Sequence, residues 1–199
     1  AAEVKDATGE IVKATDTSRL LSIGGDTTEI LYALGFGDKI VAVDTTSQFP
    51  PEALNKKKVG YMRALSTEGV LSTGATLILA NWHAGPPEVV RALRTSSVPL
   101  VILPEGEGAA SLIEKVRLVG KAVDAEEKAN ELASQLQSQF SALEAARAKI
   151  SEPVRALLVL SVNSGRALVG GRGTTADVML KLAGAINAAA SLNGYKPVS

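Results

Sequence analysis

The side chains able to do uncommon chemistry in this chain are few: three tyrosines, one histidine, one tryptophan and no cysteine in 199 residues. Tyr61 sits in the polar stretch Val59-Gly60-Tyr61-Met62-Arg63, between regular elements. A phenol has a pKa of about 10, so it ligates a metal at neutral pH only where something favours phenolate. A ferric centre and a neighbouring guanidinium, such as that of Arg63, both do so by stabilising the negative oxygen. Tyrosinate is an established ligand type for haem iron. A loop Tyr-x-Arg serves equally well for surface hydrogen bonding, and residue types alone leave both uses open. Tyr32 falls in an apolar-patterned helix and reads as packing, whereas Tyr195 lies beside the chain end.

Other chemistries are poorly supplied. His83 is the single histidine, so the multi-histidine sites of zinc and manganese importers are excluded. A Ser-His-Asp triad would have to use it, yet no Gly-x-Ser-x-Gly elbow offers a nucleophile. Gly170-Gly171-Arg172-Gly173-Thr174-Thr175 opens a helix but lacks the Gly-Lys-Ser/Thr of a P-loop; it reads as a tight turn. The absence of cysteine removes thiolate metal sites, disulfides and thiol catalysis. Net charge is zero, and Lys56-Lys57-Lys58 is too short for a nucleic-acid groove, so no nucleic-acid partner is expected. No apolar run reaches the roughly 18 residues of a spanning helix, so the chain is not expected to cross a membrane.

The elements that must hold these residues alternate. Residues 1–18 read as a polar lead-in. Leu20–Ile23, Ile40–Val43, Thr76–Ala80 and Leu100–Leu103 are continuous apolar runs, as expected of strands buried on both faces. Between them lie helices, one capped by Asp26-Thr27-Thr28 and carrying Ile30, Leu31 and Leu34, another opened by Pro86-Pro87-Glu88. Ala109–Val123 is helical. Asp124 with Glu127 suggests a capping box for a long helix over 125–150, roughly 39 Å at 1.5 Å per residue, with a stripe of Leu132, Leu136, Phe140, Leu143, Arg147 and Ile150. After Pro153 a βα pattern restarts with Ala156–Val162, Ala167–Val169 and a helix at Thr174–Leu182.

The expected organisation is therefore α/β: an N-terminal lobe over 19–108, a helical segment over 109–152 and the start of a second, unfinished lobe over 153–199. Two parallel-sheet lobes joined by one long helix would gather their ligand at the carboxyl ends of the strands. The segments expected there are Gly24–Thr28, Asp44–Ser47, Asn81–Gly85, Pro104–Gly108 and Ser161–Gly165.

Several motifs occur in order. Asp44-Thr45-Thr46-Ser47, Val59-Gly60-Tyr61-Met62-Arg63-Ala64-Leu65-Ser66-Thr67-Glu68-Gly69, Gly85-Pro86-Pro87, Gly171–Asp177 and Gly194-Tyr195-Lys196-Pro197 together resemble the periplasmic haem-binding proteins of HmuT/ShuT/PhuT type, within the cobalamin/siderophore-type substrate-binding superfamily. The resemblance runs from Arg19 onward. It implies a class III substrate-binding protein that carries ferric haem to an inner-membrane ABC permease and its ATPase, is not an enzyme, and works in the periplasm after signal removal. It further implies that Tyr61 is the axial iron ligand, that Arg63 hydrogen-bonds its oxygen, and that Glu68 docks on the permease. The matching glutamate of the second lobe would lie beyond Ser199. Some relatives bind a second haem through a histidine near Asn163–Gly165, and here that stretch has none.

Three further residues are candidates for the haem pocket. Trp82 suits stacking on a porphyrin, His83 a sixth ligand, and Arg172 a bidentate pairing with a propionate. The alternatives are a cobalamin- or ferric-siderophore-binding protein of the same architecture and, from another class, a cleft enzyme using His83.

Overall fold

The computed structural model describes residues 2–106 and 108–198. The opening of the chain is not a loose lead-in. Ala2–Lys5 (β1) pairs antiparallel with Ile11–Ala14 (β2), and Val4 and Ala14 are buried. The turn between them is organised by Asp6, whose Oδ1 accepts from the Thr8 N–H (2.9 Å), the Thr8 hydroxyl (2.7 Å) and the Glu10 N–H (3.2 Å). Its other oxygen pairs with Arg94 and accepts from the Ile102 N–H at 3.0 Å. A single acid at the turn thus fastens a hairpin that polarity alone conceals.

The apolar runs become the parallel sheet they predict. In chain order the first unit continues with Leu20–Ile23 (β3), Gly25–Ala33 (α1), Ile40–Val43 (β4), Lys57–Lys58 (β5), Thr67–Leu71 (α2), Leu77–Ala80 (β6), Pro87–Arg94 (α3) and Leu100–Ile102 (β7). The five strands lie in the order β5-β4-β3-β6-β7, and every pairing is parallel. Leu20, Leu21, Ile23, Leu77, Ile78 and Leu79 are all essentially inaccessible, each contributing on the order of 1.5–3 kcal/mol through burial. One face of this sheet packs on Val70 of α2 and on Val89 and Leu93 of α3.

Two expected helix caps are realised differently. Gly24, not Asp26, occupies the N-cap of α1; the Asp26 carboxylate is drawn off by Asn81 and Lys115, and Thr28 is buried between the hydroxyls of Ser22 and Ser47. Asp124 lies at φ 59°, a left-handed conformation that ends Ala109–Ala122 (α4) and does not cap the next helix. That next helix, Glu126–Arg147 (α5), has 22 residues, about 33 Å at the standard rise. Its N-terminal part closes on α4 where Gly120 meets Ala129: a Cβ on Gly120 would stand 2.1 Å from that of Ala129. Farther along the expected stripe, Leu132, Leu136 and Phe140 are half-buried, while Leu143 and Ile150 are exposed.

The described chain clusters into two units, residues 2–106 with 111–134, and residues 108–110 with 135–198. The second holds Arg155–Ala156 (β8), Val159–Asn163 (β9), Arg166–Gly170 (β10), Thr175–Leu182 (α6), Ile186–Asn187 (β11) and Tyr195–Val198 (β12). Among the strands of the described residues here, β8 and β11 pair in parallel, whereas β9, β10 and β12 form an antiparallel sheet. The βα rhythm does not predict that, because β9 and β10 are joined by the short turn at Ser164 and Gly165, both at positive φ, and a two-residue turn permits only antiparallel pairing. Thr174 caps α6 by accepting from the Asp177 N–H at 3.1 Å. Asn187 ties the unit together by donating to the Gly170 carbonyl and to Asp177, both at 3.0 Å.

Candidate functional site

In the order β5-β4-β3-β6-β7 the chain leaves β3 toward one edge, then returns to build β6 and β7 on the other side. The point of reversal lies between β3 and β6, where an open parallel sheet leaves a crevice at the strands' carboxyl ends. The segments emerging there are Gly24–Thr28 after β3, Asp44–Ser47 after β4, Val59–Leu65 after β5, Asn81–Gly85 after β6 and Leu103–Gly106 after β7. Glu107, which belongs to the last expected segment, lies outside the described residues.

Tyr61 is presented by a braced turn. The Val59 N–H donates to the Val43 carbonyl (3.0 Å) and the Thr45 N–H to the Gly60 carbonyl (2.9 Å), which extends the sheet's pairing past β5. Gly60 then takes φ 97°, a conformation natural to glycine, and redirects the chain. The Ala64 N–H donates to the Tyr61 carbonyl at 2.9 Å, closing the turn. Tyr61 is 45% exposed. Arg63 is exposed as well, and neither side chain makes a hydrogen bond or ion pair among the described residues.

The segment bearing Trp82 and His83 is stitched to this turn. The Gly85 N–H donates to the Met62 carbonyl (2.9 Å) and the Leu65 N–H to the Gly85 carbonyl (3.0 Å). Two of the expected pocket residues are therefore on a loop directly bonded to the one that carries Tyr61. Trp82 is 40% exposed. His83 Nε2 lies 3.7 Å from Glu105 Oε1, an acid from the loop after β7. Glu68 is exposed in the first turn of α2, where Ser66 caps by accepting from the Gly69 N–H at 3.0 Å; an acid at that place is favoured by the helix dipole. Arg172 belongs to the second unit. Its backbone is held by Leu192 and Gly194, and its exposed guanidinium has no partner among the described residues.

Residue types gave no indication of the polar cluster at the reversal point. Asp26 Oδ2 accepts from Lys115 Nζ at 3.0 Å, and Asn81 Nδ2 lies 3.1 Å from each Asp26 oxygen. Burial pushes the Asp26 carboxyl up, but the Lys115 charge and the bonds from Asn81, Lys115 and Thr27 outweigh it and hold it below its ordinary value. Asp44, fully buried, accepts from Gly24, Thr46 and Ser47 and so braces the neighbouring loop. The one available signal was the position of Asp26 immediately after a strand and two glycines. Lys115, on a distant helix, had none.

Chemically, the site offers one exposed phenol, one imidazole, an indole and a guanidinium. Among the described residues no group of three or more His, Cys, Asp or Glu converges to hold a metal ion. A bare ion would find too few donors; a metal arriving inside its own chelate needs only one axial ligand and apolar or aromatic walls.

A family model for periplasmic binding proteins matches residues 20–199. The chain belongs to the periplasmic binding protein family. Among solved structures it is similar to the periplasmic heme-binding protein RhuT from Roseiflexus sp. RS-1, with 35% identity and a TM-score of 0.86 over 92% of this chain and 71% of that one. Among curated proteins it is 26% identical to an uncharacterized ABC transporter substrate-binding lipoprotein, YvrC, of Bacillus subtilis, over 90% of this chain and 58% of the relative. It is also 39% identical to a vitamin B12-binding protein of Vibrio cholerae over 85 residues, which is 42% of this chain and 30% of the relative. The matched part of the chain thus spans little more than half the length of the first of these curated relatives and under a third of the second. The α/β architecture with a parallel central sheet agrees with the family fold.

Proposed function

We propose that this chain is part of an extracytoplasmic substrate-binding protein that takes ferric haem on Tyr61 and delivers it to an ABC permease with its ATPase. The observation that carries the reading is the half-exposed Tyr61 phenol on a braced turn at the carboxyl edge of the sheet, bonded through the backbone to the loop of Trp82 and His83. The likeness to a heme-binding protein across 92% of the chain supports it. In this role Tyr61 supplies phenolate oxygen to the iron, and Arg63, two residues on, lowers the cost of that negative charge. Trp82 offers an aromatic wall. His83, against Glu105, is available as a second axial donor. Glu68, exposed in the first turn of α2 and without an ion-pair partner among the described residues, is suited to a basic residue of the permease. Transport, not turnover, is the activity.

Cobalamin is the second reading, favoured by the match to a vitamin B12-binding protein. Titration with ferric haem and, separately, with cyanocobalamin distinguishes the two, followed by absorption spectroscopy of the chain and of Tyr61→Ala. The haem assignment predicts a ferric tyrosinate-type spectrum that Tyr61→Ala abolishes. Saturable cobalamin binding without a haem spectrum, or a haem spectrum indifferent to Tyr61→Ala, would sink it.

A further inference from the structure

We infer that Lys115, Asp26 and Asn81 form a positioning relay that sets the Trp82–His83 loop, and through it the frame of the Tyr61 turn. The relay rests on the proposed binding role of that loop. Its logic lies in which groups can only donate and which can only accept. Lys115 Nζ, an obligate donor, bonds Asp26 Oδ2 at 3.0 Å. The ionised carboxylate is an obligate acceptor, so the face of Asn81 turned toward it must be the NH2 group, and both Asp26 oxygens take it at 3.1 Å. With the amide orientation decided, Asn81 Oδ1 points the other way, where it accepts the His83 N–H at 2.9 Å. The charge on α4 thereby dictates the conformation of a loop on the far side of two intermediate side chains.

The rest of the connection is backbone. The Ala84 N–H donates to the Asn81 carbonyl (2.9 Å), and Gly85 exchanges two bonds with Met62 and Leu65. Trp82 therefore stands between two anchored neighbours while its indole stays 40% exposed. Lys115 also reaches the Gly106 carbonyl at 3.3 Å, next to Glu105, whose carboxylate faces His83. One ammonium thus bonds into the segments after β3 and β7 and, through Asp26 and Asn81, governs the one after β6. The Lys115 and Asp26 side chains are only 13% and 30% exposed. Shielding of that kind lifts such a pair above the near-zero worth of a surface salt bridge. Preorganisation of a binding loop acts chiefly on ligand dissociation, because it removes the ordering cost that a loose loop charges at binding.

The chain carries its own reporter, since Trp82 is the single tryptophan. In the whole chain, Asn81→Ala is expected to raise acrylamide quenching of Trp82 and to speed haem transfer to excess apomyoglobin roughly tenfold, the scale of one lost charge-assisted hydrogen bond. The Tyr61 spectrum should persist. Gly37→Ala, ahead of β4 and so at the opposite end of the parallel strands from the relay, serves as the control: a Cβ there falls 2.4 Å from the Tyr32 ring, so it should lower the unfolding midpoint and leave both readouts unmoved, which separates positioning from plain stability. A folded Asn81→Ala chain with unchanged quenching and unchanged haem loss overturns the relay. Should that variant not fold, Lys115→Met, which keeps Asn81 and removes the cation, is read by the same criteria. If the unaltered chain takes up no haem, the proposed function fails, and the Trp82 quenching still decides the relay.

Discussion

Gly60→Ala tests how the fold presents Tyr61. Gly60 adopts φ 97°, and a Cβ built on it would meet no heavy atom within 4 Å. Space is therefore not the constraint, and the cost of a side chain there is purely that of the backbone conformation, about 1–2 kcal/mol for an L-residue. That energy must appear somewhere. If the bonds from Thr45 to Gly60 and from Val59 to Val43 hold the turn, at 2.9 and 3.0 Å, the variant keeps its haem affinity and loses about 1–2 kcal/mol of stability, a roughly 5- to 30-fold fall in the folded-to-unfolded ratio. If the turn relaxes instead, stability is spared and Tyr61 moves, so haem binding weakens by a similar factor. Urea unfolding followed by Trp82 fluorescence, together with a haem titration, reads both. Stability and affinity both within about 0.5 kcal/mol of the unaltered chain would refute the argument that Gly60 is required for its backbone. A comparator is Gly37→Ala, where a Cβ would fall 2.4 Å from the Tyr32 ring and the penalty is a clash.

Two other outcomes follow from packing and charge. Asp6 is held below its ordinary carboxylate value of 3.8: burial opposes ionisation, but bonds from Arg94, Ile102 and Thr8 outweigh it. The depressed folded pKa means its stabilisation is complete above that ordinary value and is lost as pH falls through the folded one. Thermal midpoints should therefore place Asp6→Asn about 3 kcal/mol below the unaltered chain at neutral pH, and the gap should narrow below pH 4; a gap that persists or widens in acid contradicts the ion-pair account. Gly120→Ala should destabilise, since overpacking against Ala129, 2.1 Å from the new Cβ, costs about 1–3 kcal/mol against a helix-propensity gain of about 1. A higher unfolding midpoint would show that α4 and α5 do not approach that closely.

Legibility varied with the range of the interaction. Leu20–Ile23, Ile40–Val43, Leu77–Ala80 and Leu100–Ile102 were readable as buried strands because a strand covered on both faces leaves an uninterrupted apolar run. The helix openings at Pro87 and Thr174 were equally plain, being local in cause. The hairpin of β1 and β2 was missed because its stabilising contacts, Asp6 with Arg94 and Ile102, are 88 and 96 residues apart. Short pairings such as β5, β11 and β12 exist only through their partners. Asp26 was read as a cap since a carboxylate at a helix start usually is one; Lys115, 89 residues away, claims it instead.

The sequence by itself determined the kinds of chemistry available. One histidine and no cysteine rule out multi-histidine and thiolate metal sites built by this chain, and leave Tyr61 beside Arg63 as a candidate ligand for a ferric centre. It also determined the parallel α/β core, through apolar runs that only burial on two faces explains. Tertiary structure decided which of these residues share a loop system. Backbone pairing through Gly85 places Trp82 and His83 beside the turn of Tyr61, and the sheet's reversal brings Asp26, Asn81 and Lys115 together. Hydrogen-bond direction is the reason: a lysine can only donate and a carboxylate only accept, so once the fold sets them side by side the orientation of Asn81 and the loop beyond it follows.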